Sequence, residues 1–228
     1  MILAVDTATR RVGLALADEN EILAEHYWRT ADNHTRELAP AVARALRRAD
    51  VQPAQLRAVA VAIGPGSFTG LRIGLGFAKG IALAHNIALV GVPTLDIVAQ
   101  AQPAFDGTLI AALQSGRGRI AAGRYQWQAG WHALAPAEIT TWEAVVENLP
   151  GEPVYICGEI DAAGRKLVQS RAQLAPATLN VRRAGVLAEI GRARFNAGDV
   201  DDPATLAPDY LHLPTVTPPR ARPASESA

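Results

Sequence analysis

One cysteine in 228 residues, Cys157, excludes a disulfide framework and fits a reducing compartment. It lies in the apolar run Val154-Tyr155-Ile156-Cys157, which reads as a buried strand rather than the setting of a nucleophile. Neither sign of charge is in excess: Lys plus Arg and Asp plus Glu number 22 each. With no global field to hold a polyanion, nucleic-acid binding by the chain alone is not indicated, although a local patch can contribute. No apolar run approaches the length of a membrane span. The opening Met1-Ile2-Leu3-Ala4-Val5-Asp6 is short and lacks the basic flank of a signal peptide, so a cytoplasmic protein with no membrane association is expected. The chain has no His-Glu-x-x-His, and no two of its five histidines stand at helical ligand spacing, so no metal ligand is assigned. His34, near Glu37, reads as a cap-region surface residue, and the arginine pairs 47/48 and 182/183 as solvated faces.

What is present is a globular composition, with 49% hydrophobic and 19% charged residues. The first half predicts a meander of three strands at 2–5, 12–17 and 22–28. Leu38, Val42, Leu46 and Ala49 then recur at helical spacing, with Pro40 opening or bending that helix. The apolar run 58–63 suits a strand buried on both faces. A glycine-rich loop at 64–70, a helix over 71–85 and a strand at 88–92 complete the order of a ribonuclease-H-like unit. From Thr108 the pattern restarts: strands at 109–113, 119–127 and from Trp131, a helix near 141–149, a strand at 154–157, and helices near 162–173 and 186–196. The expected organisation is two related α/β halves, 1–103 and 104–213, the second degenerate, with a proline-rich disordered tail at 214–228.

Three features carry candidate chemistry. Asp6-Thr7 ends the first strand in a turn, where an acid and a hydroxyl can orient a Mg²⁺-bound phosphate or simply initiate an Asx turn. The loop Gly64-Pro65-Gly66-Ser67-Phe68-Thr69-Gly70 lies between a buried strand and a helix, the place where α/β sheets bind anions. It is neither a Walker A loop, since Leu71-Arg72 follows Gly70, nor a Rossmann fingerprint, the spacing being one residue too long. Ser67 or Thr69 caps the next helix on either reading. That helix carries two rows of small residues, Gly70, Gly74, Ala78 and Gly76, Gly80, Ala84. Each interior glycine costs about 1 kcal/mol relative to alanine in an exposed helix, so close approach of another backbone is required. The approaching backbone belongs either to the chain's own sheet or to a second protein. One absence bears on catalysis: no carboxylate occurs between Asp106 and Glu138. If the halves are related, Gln114 stands where Asp6 does, beside Arg117 and Arg119, which weakens independent ATP hydrolysis.

The residues Ile2-Leu3-Ala4-Val5-Asp6-Thr7 and Gly64-Pro65-Gly66-Ser67-Phe68-Thr69-Gly70-Leu71-Arg72-Ile73-Gly74, with Asn33-His34-Thr35 and Gly91-Val92-Pro93-Thr94-Leu95, closely resemble the bacterial TsaB family, also called YeaZ. The resemblance is strong over residues 1 to 100 and afterwards rests on strand order and Pro208-Asp209-Tyr210-Leu211. It implies an actin/Hsp70-like ATPase (ASKHA) fold and a glycoprotease-like pseudoenzyme without catalytic residues of its own. It implies heterodimerisation with the catalytic subunit TsaD and work with the ATPase TsaE. Together these place threonylcarbamoyl on the adenosine beside the anticodon of tRNA, which is reached through the complex. A homodimer is the alternative when the chain is alone. Thr69, Gly70, Arg72, Ile73, Gly74, Phe77 and Gly80 are the implied partner seam. Asp6, Thr7, Gly64, Gly66 and Ser67 are the nucleotide or phosphate candidates. No cofactor is expected to bind tightly, and ATP or ADP with Mg is placed at the partner interface. The family's second-half Asp-Ala-Arg run is replaced here by Gln114-Ser115-Gly116-Arg117. The competing readings are an autonomous nucleotide-dependent phosphotransferase of the same fold and a metallopeptidase.

Overall fold

The computed structural model describes residues 1–31, 33–116 and 118–211. The expected tail at 214–228 lies outside them, as does Arg117. The first sheet is built from β1 (Ile2–Asp6), β2 (Arg11–Ala17), β3 (Ile22–Arg29), β4 (Ala58–Gly64) and β5 (Ala88–Pro93), in the order β3-β2-β1-β4-β5. The meander is antiparallel, while β4 and β5 run parallel to β1. Between them lie α1 (His34–Arg48) and α2 (Phe68–His85), with α3 (Thr94–Gln100) following β5.

Side chains of the central strands alternate in size as well as direction. Leu3, Val5, Val59 and Val61 enter one core layer with Leu38, Val42 and Leu46 of α1 and Leu75 of α2. Ile2, Ala4, Ala58, Ala60 and Ala62 face the other layer. A strand reading Ala-Val-Ala-Val-Ala thus presents a bulky face and a flat one. The flat face takes α6 (Ala184–Asn196), whose Gly191 lies so close to Ala60 that an added Cβ would overlap it.

The second sheet repeats the plan. It contains β6 (Thr108–Gln114), β7 (Ile120–Trp127), β8 (Trp131–Ala133), β10 (Val154–Gly158) and β11 (Gln173–Leu174), ordered β11-β10-β6-β7-β8, with β9 (Glu138–Thr140) also paired to β7. Read from β8, this is the strand order of the first sheet. Leu109, Ala111 and Leu113 pack under Leu95, Val98 and Ala99 of α3. Ile110 and Ala112 face the layer of α4 (Trp142–Glu147) and α5 (Ala162–Val168). Cys157 is fully buried on β10, and burial pushes its thiol well up, as a strand position requires.

Two differences from the sequence reading matter. The seven-residue α3 was not foreseen; it is short and continues an apolar strand without a break. The second half, expected to run to 213, instead returns to the first sheet from Arg182 onward. There α6 covers the alanine face, Asp201 accepts a hydrogen bond from the Gly91 amide at 2.8 Å, and the Asp209 amide donates to the Ile63 carbonyl at 2.7 Å. Without that return the flat face of the first sheet would lie in water.

Between α3 and the second sheet, the Tyr125 hydroxyl donates to Asp96 Oδ1 at 2.8 Å. Burial pushes the Asp96 carboxyl above its ordinary value, and the hydrogen bond from Tyr125 only partly offsets it. A carboxyl with a raised folded-state pKa contributes stability below its unfolded pKa and loses it as pH rises through the folded one. Asp96→Asn is therefore expected to raise the urea midpoint at pH 7 and to lose that gain near pH 4; an unchanged or lowered midpoint at pH 7 would contradict the assignment.

Candidate functional site

The two sheets meet where their first strands end. Asp6 closes β1, Gln114 closes β6 at the equivalent position, and Glu159 follows β10. Into this junction comes Arg182, one residue short of the N-cap of α6 and 2% exposed. Its Nε donates to Asp6 Oδ2 at 2.6 Å, and its Nη1 donates to Glu159 Oε1 at 2.7 Å. Its Nη2 donates to Thr9 Oγ1 at 3.0 Å and to the Arg11 carbonyl at 2.8 Å. The planar fork of guanidinium donors thus meets acceptors from both halves, a geometry that lysine cannot reproduce. Burial alone would pull the Arg182 pKa down, but Asp6 and Glu159 outweigh it and the net direction is up, so the side chain is a permanent cation.

The acids are equally committed. Asp6 Oδ1 accepts the Ala8 amide at 2.8 Å. Glu159 Oε1 also accepts the Thr9 hydroxyl at 2.8 Å, while Gln114 Nε2 donates to the Glu159 carbonyl at 3.0 Å. Arg11 adds a second cation 3.7 Å from Glu159. His34, expected at the surface, is 6% exposed, and its Nε2 donates to the Thr9 carbonyl at 3.0 Å, tying α1 to the same turn. Arg182, expected on a solvated face, is instead a buried cation in the chain's central cleft, 2% exposed beside Asp6 at 1%. Arg183 alone of that pair is outward, bound to Glu25.

The glycine-rich loop is closed by its own neighbours. The Ser67 amide donates to the Ala8 carbonyl at 2.6 Å, and Ser67 Oγ caps α2 by accepting the Gly70 amide at 3.3 Å. Thr7 Oγ1 donates to the Gly70 carbonyl at 2.7 Å. An added Cβ at Gly64 would overlap the Asp209 carbonyl, and one at Gly66 the Ala8 carbonyl. Asp6, Thr7, Gly64, Gly66 and Ser67 are thus brought together, as the sequence placed them, but the side chains of Asp6, Thr7 and Ser67 and the Gly64 amide already hold partners within the chain. Asp6 is neutralised by a guanidinium where a Mg²⁺–phosphate would need it free, so this donor set does not fit a Mg-nucleotide as arranged. Among the described residues no cluster of three His, Cys, Asp or Glu side chains is placed to hold a metal ion.

The two small-residue rows of α2 have different explanations. Gly70 and Gly74 are buried against Thr7, whose backbone carbonyl and Oγ1 would overlap a Cβ at each. Gly76 and Gly80 have nothing within 4 Å of such a Cβ. Of the residues expected at a partner seam, Thr69, Arg72 and Gly80 are exposed, Ile73 and Phe77 half-buried, and Gly70 and Gly74 internal. The last two belong to the seam between α2 and the chain's own first turn, because the β1 end passes directly beneath them. Beside the outward row, Phe68 is 38% and Leu83 69% exposed. Phe68 stacks on Tyr210 with centroids 5.0 Å apart, and Arg72 lies over its ring.

Two ribonuclease-H-like sheets of the same strand order, joined at the ends of their first strands, define a protein of the actin/Hsp70-like ATPase fold. The family model for TsaD, tRNA N6-adenosine threonylcarbamoyltransferase, matches residues 25–191. The tRNA threonylcarbamoyladenosine biosynthesis protein TsaB of Bacillus subtilis is 30% identical, over 93% of this chain and 94% of its own. The Escherichia coli protein of the same name is 33% identical over 68% and 70%. YeaZ from Pseudomonas aeruginosa superposes with a TM-score of 0.76 at 26% identity, covering 92% of this chain and 99% of that one. The chain belongs to the TsaB (YeaZ) family.

Proposed function

We propose that this chain acts in threonylcarbamoyladenosine formation on tRNA as a non-catalytic subunit that docks the outward face of α2 onto a TsaD-type transferase, with TsaE as the third component. The relatives' names supply the process. The observation that carries the docking role is the pair Gly76 and Gly80, in open space on an eighteen-residue helix. Two interior glycines cost about 1 kcal/mol each against alanine and return no contact inside the chain. Their smallness serves a helix that arrives from outside, and exposed Phe68 and Leu83 supply apolar area beside it. The acids of the cleft support the non-catalytic half of the reading, since Asp6 and Glu159 hold Arg182 and are not free for Mg²⁺. ATP or ADP with Mg, if it enters the assembly, is then bound with residues of the partner.

Light scattering after size exclusion tests the docking. The wild-type chain mixed with TsaD is expected to elute as a heterodimer, and alone as a homodimer through the same face. Gly80→Leu is expected to abolish both without lowering the melting temperature of the monomer, since the position is open and leucine is the better helix former. A Gly80→Leu chain that pairs with TsaD as well as wild type does would overturn the reading.

A further inference from the structure

Between the edge strand β3 and helix α1 lies a groove of about 460 Å³. Arg36, Arg44 and Arg48 line it from α1, spanning twelve residues, or about 18 Å of helix. All three are exposed, and among the described residues none has a side-chain ion pair or side-chain hydrogen bond. Arg44 and Arg48 are a like-charge pair at four-residue spacing, an arrangement that works against the helix. The groove also holds one carboxylate, Glu37, whose Oε2 accepts the Trp28 indole N–H at 2.8 Å. That bond fixes the indole on the groove wall, and His26, two residues earlier on β3, faces the same side. A chain with balanced total charge thus gathers three guanidinium groups with unpaired side chains and two aromatic rings, His26 and Trp28, in one place.

We propose that this groove binds single-stranded RNA, with phosphates on Arg36, Arg44 and Arg48 and a base against the rings of β3. Arginines supply the sequence-independent attraction, and aromatic faces accept any base by stacking. Rings can stack only on bases that are not already paired and stacked inside a helix, which favours a single strand over a duplex. The inference stands apart from the docking role of α2, because it concerns the chain alone and the side of α1 turned to the β3 edge.

The test is fluorescence anisotropy of a labelled mixed-sequence RNA of about twelve nucleotides, titrated with the full chain at about 50 and about 200 mM salt. Arg44→Gln/Arg48→Gln is expected to weaken binding roughly tenfold at the lower salt and to flatten its salt dependence. Arg165→Gln/Lys166→Gln, exposed on α5, is expected to leave both unchanged. His26→Ala is expected to weaken binding several-fold, and inorganic polyphosphate to compete at least about tenfold less well than unlabelled RNA, since it has nothing to stack. Absence of binding, equal loss in the α5 variant, or equal competition by polyphosphate would overturn the proposal. Gly80→Leu is expected to bind the RNA normally, so failure here and failure of the docking reading are told apart.

Discussion

Arg182→Met is expected to remove about 3–5 kcal/mol of folding stability, read as a lowered urea midpoint. The size follows from what remains. Asp6 and Glu159 are 1% and 6% exposed, and without the guanidinium between them two carboxylates stay buried side by side. Breaking a buried ion cluster by removing its cation leaves uncompensated charge in a medium that solvates it poorly. Asp6→Asn is expected to cost less, because Arg182 then still faces Glu159 and the pair remains neutral. Because Arg182 joins Asp6 of the first sheet to Glu159 of the second, its loss also loosens the halves, and unfolding is expected to separate into two steps. A loss below about 1 kcal/mol, the range of an exposed ion pair, would show that the cleft is hydrated and the cluster unimportant.

Within α2, glycines of the same sequence appearance are expected to respond in opposite directions. Gly70→Ala pushes a methyl group into the Thr7 backbone carbonyl, which the end of β1 holds in place, and is expected to cost roughly 2–3 kcal/mol. Gly76→Ala adds the same methyl group to space that is open in the single chain and removes a flexible residue from a helix interior, so in dilute solution, where the chain is monomeric, it is expected to gain up to about 1 kcal/mol. Thermal unfolding of the two variants reads a contrast that propensity alone would not produce, since propensity favours alanine at both. Equal gains would mean that α2 does not press on the first turn; equal losses would mean that Gly76 is covered in the free chain.

The first half was legible because its signals are local. Alternating apolar strands, the 64–70 loop and the spacing of α1 are each set by neighbours within about ten residues, and apart from the unforeseen α3 the strands, α1 and α2 differ from the expected ones only by a residue or a few at their ends. The repeat of the pattern from Thr108 was likewise visible, down to Gln114 closing β6 where Asp6 closes β1. The Arg182 cluster was not, since its partners lie 176 and 23 residues away and nothing in Arg182-Arg183 says which side chain turns inward. One signal existed. Glu159 directly follows a fully buried strand ending in a glycine, the position in the second half that the 64–70 loop takes in the first, and an acid there needs a cation. The return of α6 to the first sheet was also written locally, in the Ala-Val-Ala-Val-Ala of β4 and the small residues Ala184, Gly185, Ala188 and Gly191, but as a match between segments more than a hundred residues apart. Likewise the two glycine rows of α2 were recognised as rows, whereas which one faces the chain's own backbone depends on where β1 ends.

The claim that this chain is a required partner and not an enzyme is tested most directly by assembling tRNA modification from TsaD, TsaE and supplied threonylcarbamoyl-adenylate, with and without it. Mass spectrometry of the digested tRNA reports the product. The account predicts threonylcarbamoyladenosine only when the wild-type chain is present, and its loss with Gly80→Leu. Equal product without the chain would contradict it.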